Sequence, residues 1–350
     1  MTRVVAPSYH HFRVNSTEAF WEAVITLGSG SALRLLDAGE AEKPPMVRYG
    51  PATRCGNRRH QGGDGPDRLW SGKPNVMMSH NDAETLALEL MSAYQSGKMV
   101  PIAPSARPGF DLNTAYAVEL MLKGFRETEG HRAVGRKVGY ANKAMWRALK
   151  LETLVWAHMY DDTVHSSENN SAAISVAHPR ALKIEPEIVF GLKEPLTGQA
   201  RDAAAALASA DWLAMGFEII DCPFPEWKFQ PGDLVASFGL HAALVIGEKM
   251  QIRPELISKL VEELPRFKVR MSKDGRFVEE GSGKNALKNP ALCLAELGAA
   301  IERRFGSEPL RAGEIVSSGT LTGGHQTDRG DVWTVEVEGL PLPSLTLRLT

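Results

Sequence analysis

Ile184-Glu185-Pro186-Glu187-Ile188-Val189-Phe190 is the stretch on which the reading turns, and Gly216-Phe217-Glu218-Ile219-Ile220-Asp221 supplies its counterpart. Both runs are rich in Ile, Val and Phe and read as short β-strands. Successive side chains on a strand point to opposite faces, so Glu185 and Glu187 share one face. Two carboxylates then stand side by side among apolar residues. Desolvation and mutual repulsion would protonate at least one of them unless a cation neutralises the pair. A hard divalent ion such as Mg²⁺ takes oxygen ligands, needs only a few protein carboxylates and keeps positions open for water or substrate. The bland alternative is a Glu-x-Glu on the solvated face of an edge strand. The apolar flanks, the helix expected between the two runs, and the third acid inside an apolar strand favour a metal held by Glu185, Glu187 and Glu218.

The totals set bounds on everything else. A chain of 350 residues can build one large domain or two modest ones. Its 40 basic and 42 acidic residues leave a net charge of -2 with no basic stripe, so neither nucleic acid nor a charged membrane surface is expected as a partner. Cys55, Cys222 and Cys293 are odd in number and widely spaced, which fits a reducing compartment and argues against a structural zinc site. The amino terminus lacks the apolar core of a signal peptide, and no run of about 18 apolar residues exists. A cytoplasmic address is expected.

Composition changes near residue 78. Residues 1–77 include Pro44-Pro45 and a run of Arg and Gly from Arg54 to Gly65, and read as a flexible or weakly helical extension. Residues 78–350 read as the catalytic domain, with a helical part over 78–150 and a β-rich, metal-binding part over 151–350. Asn81 or Asp82 is expected to cap a helix that stops at Gly97, and Asp111 to open a second that stops near Gly130. A strand follows over 133–140. The alanine-rich segment 199–215 predicts a helix. Segments 234–238 and 242–246 read as strands, and 267–272 with 276–279 as a hairpin turning at Asp274-Gly275. Asn289-Pro290 supplies a cap and first-turn proline for a helix ending near Gly306. Strands at 315–321, 333–337 and 345–349 close an α+β pattern.

Several common sites are absent: there is no His-Glu-x-x-His, no Gly-x-Ser-x-Gly elbow and no dinucleotide fingerprint. Gly281-Ser282-Gly283-Lys284-Asn285 lacks the spacing of a phosphate loop and reads as a mobile loop near the site. Lys137, in the glycine-bounded strand Gly135-Arg136-Lys137-Val138-Gly139, is expected to be partly buried and to need an anionic partner. That partner is either an acidic substrate or one of the glutamates. His158 can titrate near neutral pH and move protons, or serve as a hydrogen-bonded core residue. His241 and His325 rank below it. Ser317 to Gly324 ends a strand in a glycine-rich turn, which either offers hydroxyls and backbone amides to a carboxylate or is a plain tight turn.

Taken in order, the Gly135–Gly139 strand, Glu185-x-Glu187, Glu218-Ile219-Ile220-Asp221, and Ser318-Gly319-Thr320-Leu321-Thr322 followed by Gly330-Asp331 resemble the fumarylacetoacetate hydrolase superfamily. The likeness runs over about residues 81–350 and is nearest the 2-keto-4-pentenoate hydratase and 4-oxalocrotonate decarboxylase branch. It implies a compact α+β body around a rolled, barrel-like mixed β-sheet with flanking helices, and a homo-oligomer. It also implies Mg²⁺ or Mn²⁺ on Glu185, Glu187 and Glu218, with Lys137 as the active-site lysine and Thr320 and Thr322 near the substrate. The substrate implied is a 2-keto or 2-hydroxydienoate acid from aromatic degradation, chelated through its carboxylate and C2 oxygen. One departure stands out: where hydratases of this branch tend to carry an aspartate downstream of the lysine, this chain has Val155. His158, read as lying one helical turn further on, is the candidate to take over proton transfer. Phe224 to Phe229 lies where a substrate-facing loop is expected.

The chemistry expected is a lyase reaction, hydration or decarboxylation, through a metal-stabilised enolate with Lys137 adding positive charge. Two alternatives stand beside it. One is an acylpyruvate-type carbon–carbon hydrolase, which needs a base to activate water, and no His-Glu pair close in sequence announces one. The other is a catalytically weak partner subunit of a lyase complex.

Overall fold

The computed structural model describes residues 78–304 and 307–350. The expectation of a flexible or helical extension over 1–77 therefore lies outside the described residues. Helices α1 (His80–Ser96) and α2 (Leu112–Thr128) open the fold. Ser79, not Asn81 or Asp82, caps α1 by accepting from the Asp82 amide, which starts the helix a residue or two early, and Gly97 ends it. Asp111 caps α2 by accepting from Thr114. There follow β1 (Ala133–Gly139), α3 (Lys143–Leu149), β2 (Val155–Tyr160), β3 (Val164–Ser166), β4 (Ser171–Ile174) and β5 (Leu182–Leu192). Next come α4 (Ala203–Ser209), β6 (Ala210–Asp221), α5 (Pro231–Ala236), β7 (His241–Ile246), β8 (Met250–Gln251) and α6 (Ile257–Glu263). The chain closes with β9 (Lys268–Lys273), β10 (Arg276–Ser282), α7 (Pro290–Glu302), β11 (Ile315–Thr320), β12 (His325–Gln326), β13 (Val332–Glu338) and β14 (Leu345–Leu349).

The strands form two sheets. The larger runs β2-β1-β11-β5-β6-β7-β3, with β12 also on β5 and β8 on β6; the smaller runs β10-β9-β13-β14-β4. β1 and β11 pair parallel, β5 pairs antiparallel with both β11 and β6, and the larger sheet curls into a half-barrel with helices on its flanks. This is the α+β architecture with a rolled mixed sheet expected above. The β5–β6 pair is its spine. Ile184, Ile188, Val189 and Phe190 on β5, and Leu213, Phe217 and Ile219 on β6, are fully buried. Burial on both faces is why these strands read as nearly continuous apolar runs rather than as alternating ones. α7 packs on β11 and α4, while α2 packs on α1 and α5.

Five local expectations are corrected. Segment 199–215 is helical only over α4, because Ala210 to Met215 pair with Leu192 to Ile188 in the spine. Alanine's helix preference is a fraction of a kcal/mol per residue and yields to that pairing. Segment 234–238 belongs mostly to helix α5: Pro231 sits in its first turn and Asp233 bonds back to the Gln230 amide at 2.7 Å, start signals that outweigh the apolar run. Residues 281–285 finish β10 and turn through a short 3-10 segment, where Asn285 donates to the Leu321 carbonyl at 2.7 Å, so this is a fixed turn rather than a loop. Val155 and His158 lie on strand β2, not on a helix. The last long helix ends at Glu302, short of Gly306. Among the described residues no helix is long and apolar enough to cross a membrane.

Gly135 shows how closely the spine's neighbours approach. A Cβ there would lie 1.9 Å from the Ile315 carbonyl oxygen across the parallel β1–β11 pair. Gly135→Ala is expected to cost about 1–3 kcal/mol, the usual penalty for overpacking. A lowered urea midpoint with an unchanged m-value would show it.

Candidate active site

The spine's register builds the site. Glu185 on β5 lies directly opposite Glu218 on β6, and Glu187 faces Gly216 on one side and Thr320 of β11 on the other. The three carboxylates each bring an oxygen within 4.8 Å of the others. Glu187 and Glu218 are wholly buried. Glu187 Oε2 accepts from Ser317 Oγ at 2.5 Å and from the Gly319 amide at 2.8 Å, while its Oε1 has no partner. Gly324 keeps the approach open: a Cβ there would come within 2.8 Å of Glu185 Oε1.

Lys137 reaches in from β1. Its ammonium lies 3.0 Å from Glu218 Oε2 and donates to the Gly239 carbonyl at 3.1 Å. On the other side of Glu218, His241 Nδ1 donates to Oε1 at 2.9 Å, and His241 Nε2 is 3.0 Å from Thr163 Oγ1. Burial works to raise the Glu218 carboxyl, but Lys137 and His241 outweigh it and hold it below the ordinary value. Glu187 has less relief: burial, then repulsion from Glu218 and Glu185, pushes it well above the carboxylate range. Burial lifts Glu185 to about 7, with Lys137 pulling the other way. For Lys137, burial would lower the ammonium, yet the three glutamates raise it, so it stays charged. An orphaned buried oxygen and two carboxylates that resist ionisation amount to a shortage of positive charge. The donor set is all oxygen, which suits a hard divalent ion such as Mg²⁺ or Mn²⁺ on Glu185, Glu187 and Glu218.

A cleft of about 540 Å³ opens onto this cluster, lined among others by Lys137, Tyr140, Glu185, Trp227 and Thr320. Thr320 and Thr322 both reach it. Thr320 Oγ1 donates to the Thr322 carbonyl at 3.1 Å, and the Thr322 hydroxyl is turned to the Gly323 carbonyl at 2.8 Å, so the pair first of all shapes the turn. Trp227 and Phe229 of the expected substrate-facing loop stand in the wall, whereas Phe224 is buried behind it.

The structure does not bring His158 to the cleft, which corrects its candidacy for proton transfer. On β1 and β2, Lys137 faces Ala157 and Arg136 faces His158, so His158 projects from the opposite side of the sheet. There its Nδ1 pairs with Glu119 at 2.5 Å, with the imidazole pushed down by burial and by Arg136. Val155 lies opposite Gly139 as a buried apolar residue. His241, by contrast, stands directly against Glu218. Its contact with Glu218 depends on a register shift between Ile219 and Ile220 in the β6–β7 pair, for which the sequence carries no signal. The fold also brings His325 Nε2 to within 2.6 Å of Glu279, which lines the cleft.

The chain is similar to known proteins over about three quarters of its length. No family model matches the chain. It is 25% identical over 264 residues, 75% of its own length and 97% of the other's, to a 2-keto-4-pentenoate hydratase of Burkholderia vietnamiensis. It is 26% identical over 266 residues, 76% and 97% of the two lengths, to a 4-oxalocrotonate decarboxylase of a Pseudomonas species. The chain is a relative of the hydratase and decarboxylase branch of the fumarylacetoacetate hydrolase superfamily. A 4-oxalocrotonate decarboxylase structure from Pseudomonas putida, complexed with magnesium and adipate, shares the fold of this chain with a TM-score of 0.70 and 24% identity, over 78% of this chain and 99% of that one.

Two outcomes follow. Because Glu185 titrates at about 7 in the fold against 4.5 unperturbed, the native state holds more protons than the unfolded chain between those values. Without divalent ions, stability is therefore present below about pH 4.5 and lost as pH rises through 7, with Glu187 acting in the same sense. Melting temperatures in chelator and in Mg²⁺ should diverge more at about pH 8 than at about pH 5. Second, His241→Leu should weaken Mn²⁺ binding by about 10–100-fold, the usual cost of removing a ligand's hydrogen-bond partner, as read by calorimetry.

Proposed function

We propose that this chain is a divalent-metal-dependent lyase, a hydratase or decarboxylase, acting on a 2-keto or 2-hydroxydienoate acid of the kind released in aromatic degradation. The observation that carries the reading is the convergence of Glu185, Glu187 and Glu218 within 4.8 Å, beside a charged Lys137 at the floor of a cleft. The names of the relatives, matched over nearly their whole length, support the same class. When bound, the divalent ion supplies a Lewis acid at the oxygen on C2, where negative charge develops in either reaction.

The chain's own groups do the rest. Lys137 is fixed by Glu218 and the Gly239 carbonyl, so its positive charge is preorganised beside the reacting end and needs no rearrangement as charge builds. Ser317 and the Gly319 amide hold Glu187 in one rotamer, and His241 holds Glu218. Ile220, Trp227 and Phe229 give the substrate's carbon chain an apolar wall and exclude water from it. With His158 on the far side of the sheet, proton transfer falls to the Glu279–His325 pair at the rim, an imidazole bonded to a carboxylate in the manner general acid–base catalysis requires.

That pair also favours a second reading. A water activator near three metal-binding acids is what an acylpyruvate-type hydrolase needs, and Glu279 and His325 supply one through the fold although they are 46 residues apart. Turnover with a panel of 2-hydroxydienoates, 4-oxalocrotonate and acylpyruvates separates the readings. Loss of the dienoate absorbance without CO₂ indicates hydration, CO₂ release indicates decarboxylation, and acylpyruvate cleavage indicates the hydrolase. Inertness toward all three would leave the partner-subunit role.

Glu187→Gln is expected to abolish metal binding and turnover together. Lys137→Met should lower kcat by about 100-fold or more while metal binding, read by calorimetry, persists. Full metal-dependent turnover in the glutamine variant would overturn the assignment.

A further inference from the structure

Thr163 stands in the turn between β2 and β3, with its hydroxyl 3.0 Å from His241 Nε2. It is the outermost member of a chain of contacts that runs inward through the imidazole. His241 Nδ1 donates to Glu218 Oε1 at 2.9 Å, and Lys137 holds the other carboxylate oxygen at 3.0 Å. Thr163, His241 and Glu218 are 6%, 4% and 0% exposed, so a lost partner in this chain leaves a polar atom stranded out of water.

The backbone ladder does not aim the imidazole. In the β6–β7 pair Glu218 faces Leu244, while the register shift puts His241 opposite Ile220. Immediately before His241, Phe238, Gly239 and Leu240 take φ of 54°, 64° and 59°, three left-handed residues in a row, two of them bulky. Strained backbone of this kind persists where surrounding contacts over-determine it, and it gathers at functional sites. The turn serves Glu218 twice: the Gly239 carbonyl accepts from Lys137 at 3.1 Å, and the turn's end sets His241 on the opposite oxygen. What stays free is rotation of the ring about its Cβ–Cγ bond, a broad two-fold torsion. A half turn would put a carbon where Nδ1 meets Glu218.

Thr163 opposes that rotation. Its β-branched side chain is stiff at χ1. Its amide and its hydroxyl both reach the Tyr160 carbonyl at 3.0 Å, its hydroxyl oxygen accepts from the Tyr160 amide at 3.3 Å, and its carbonyl accepts from the Leu244 amide at 2.8 Å. Thr163 lies outside the cleft wall, so any effect on the cleft passes through the imidazole.

We infer that Thr163 is a positioning residue of the glutamate site: its hydroxyl fixes the His241 ring, and through it the rotamer of the Glu218 carboxylate. This rests on the reading of Glu185, Glu187 and Glu218 as a metal centre.

A double-mutant cycle on Mn²⁺ binding, read by calorimetry on the full chain, tests it. Thr163→Val keeps the shape and removes the hydroxyl; it should weaken Mn²⁺ binding about 3–10-fold, the worth of one neutral hydrogen bond and less than the loss from His241→Leu. In the His241→Leu background the same change should cost nothing further, because the path through the imidazole is gone. Thr163→Ser and Thr163→Ala both lose the methyl group, and only the alanine change should weaken binding, which separates hydroxyl from packing should valine disturb the fold. In the metal-free protein, the His241 Nδ1 proton should give one slowly exchanging NMR resonance, kept in Thr163→Ser and lost in Thr163→Val and Thr163→Ala. Wild-type Mn²⁺ affinity in Thr163→Val, an equal loss in both backgrounds, like behaviour of the serine and alanine variants, or an Nδ1 resonance that survives removal of the hydroxyl overturns the inference and leaves the metal-centre reading standing. Failure of the wild-type protein to bind Mn²⁺ at all would sink the metal-centre reading, and this inference with it.

Discussion

Three carboxylates held together, two of them wholly out of water and the third at the cleft, are the constraint on which the rest of this molecule depends. Glu187 and Glu218 are wholly buried, Glu185 lies beside them, and no chain gathers such charge without compensation. One cation, Lys137, is built in, and it is spent largely on Glu218. Hydrogen bonds from Ser317, Gly319 and His241 satisfy part of what remains. The residue of the imbalance appears as a raised Glu187, a Glu185 poised at about 7 and one oxygen without a partner. A divalent ion is the simplest answer to all three.

The spine makes that arrangement possible. β5 and β6 are long and paired over almost their whole length, so the opposition of Glu185 and Glu218 is set by a ladder of backbone hydrogen bonds rather than by side-chain packing. A slip of one residue would turn every glutamate to the other face. β11, the neighbour of β5, carries Ser317 and Thr320, and β1, the neighbour of β11, carries Lys137. Four strands adjacent in the sheet but scattered along the chain thus contribute to one cleft, and the curl of the sheet aims their side chains at a common point. The same ladder places Lys183 and Ile220 one step further out, which is how a single pair of strands carries both the charged floor and the start of the wall.

Much of this was legible because the acids lie in apolar strands. The Glu185-x-Glu187 spacing put two carboxylates on one face by period alone, and the glycine-bounded Lys137 signalled a buried cation. The errors have a common origin. Segment 199–215 looked helical because alanine favours helices, and His158 looked available because a histidine in isolation carries no record of its partners. In both cases a tertiary pairing, with Ile188 to Leu192 in one and with Glu119 in the other, outweighed the local preference.

Taken alone, the sequence determined that this would be an α+β body with three acids on two buried strands, since hydrophobic period and composition act over a few residues and survive in one dimension. Only the tertiary structure decided who serves those acids. The alternation of faces on β1 and β2 sent His158 away from the cleft, and a register shift in the β6–β7 pair brought His241 to Glu218. The same packing joined Glu279 to His325 and laid Lys183 on Trp227. Such contacts arise between residues distant in the chain, where no local period or propensity carries their distance or direction.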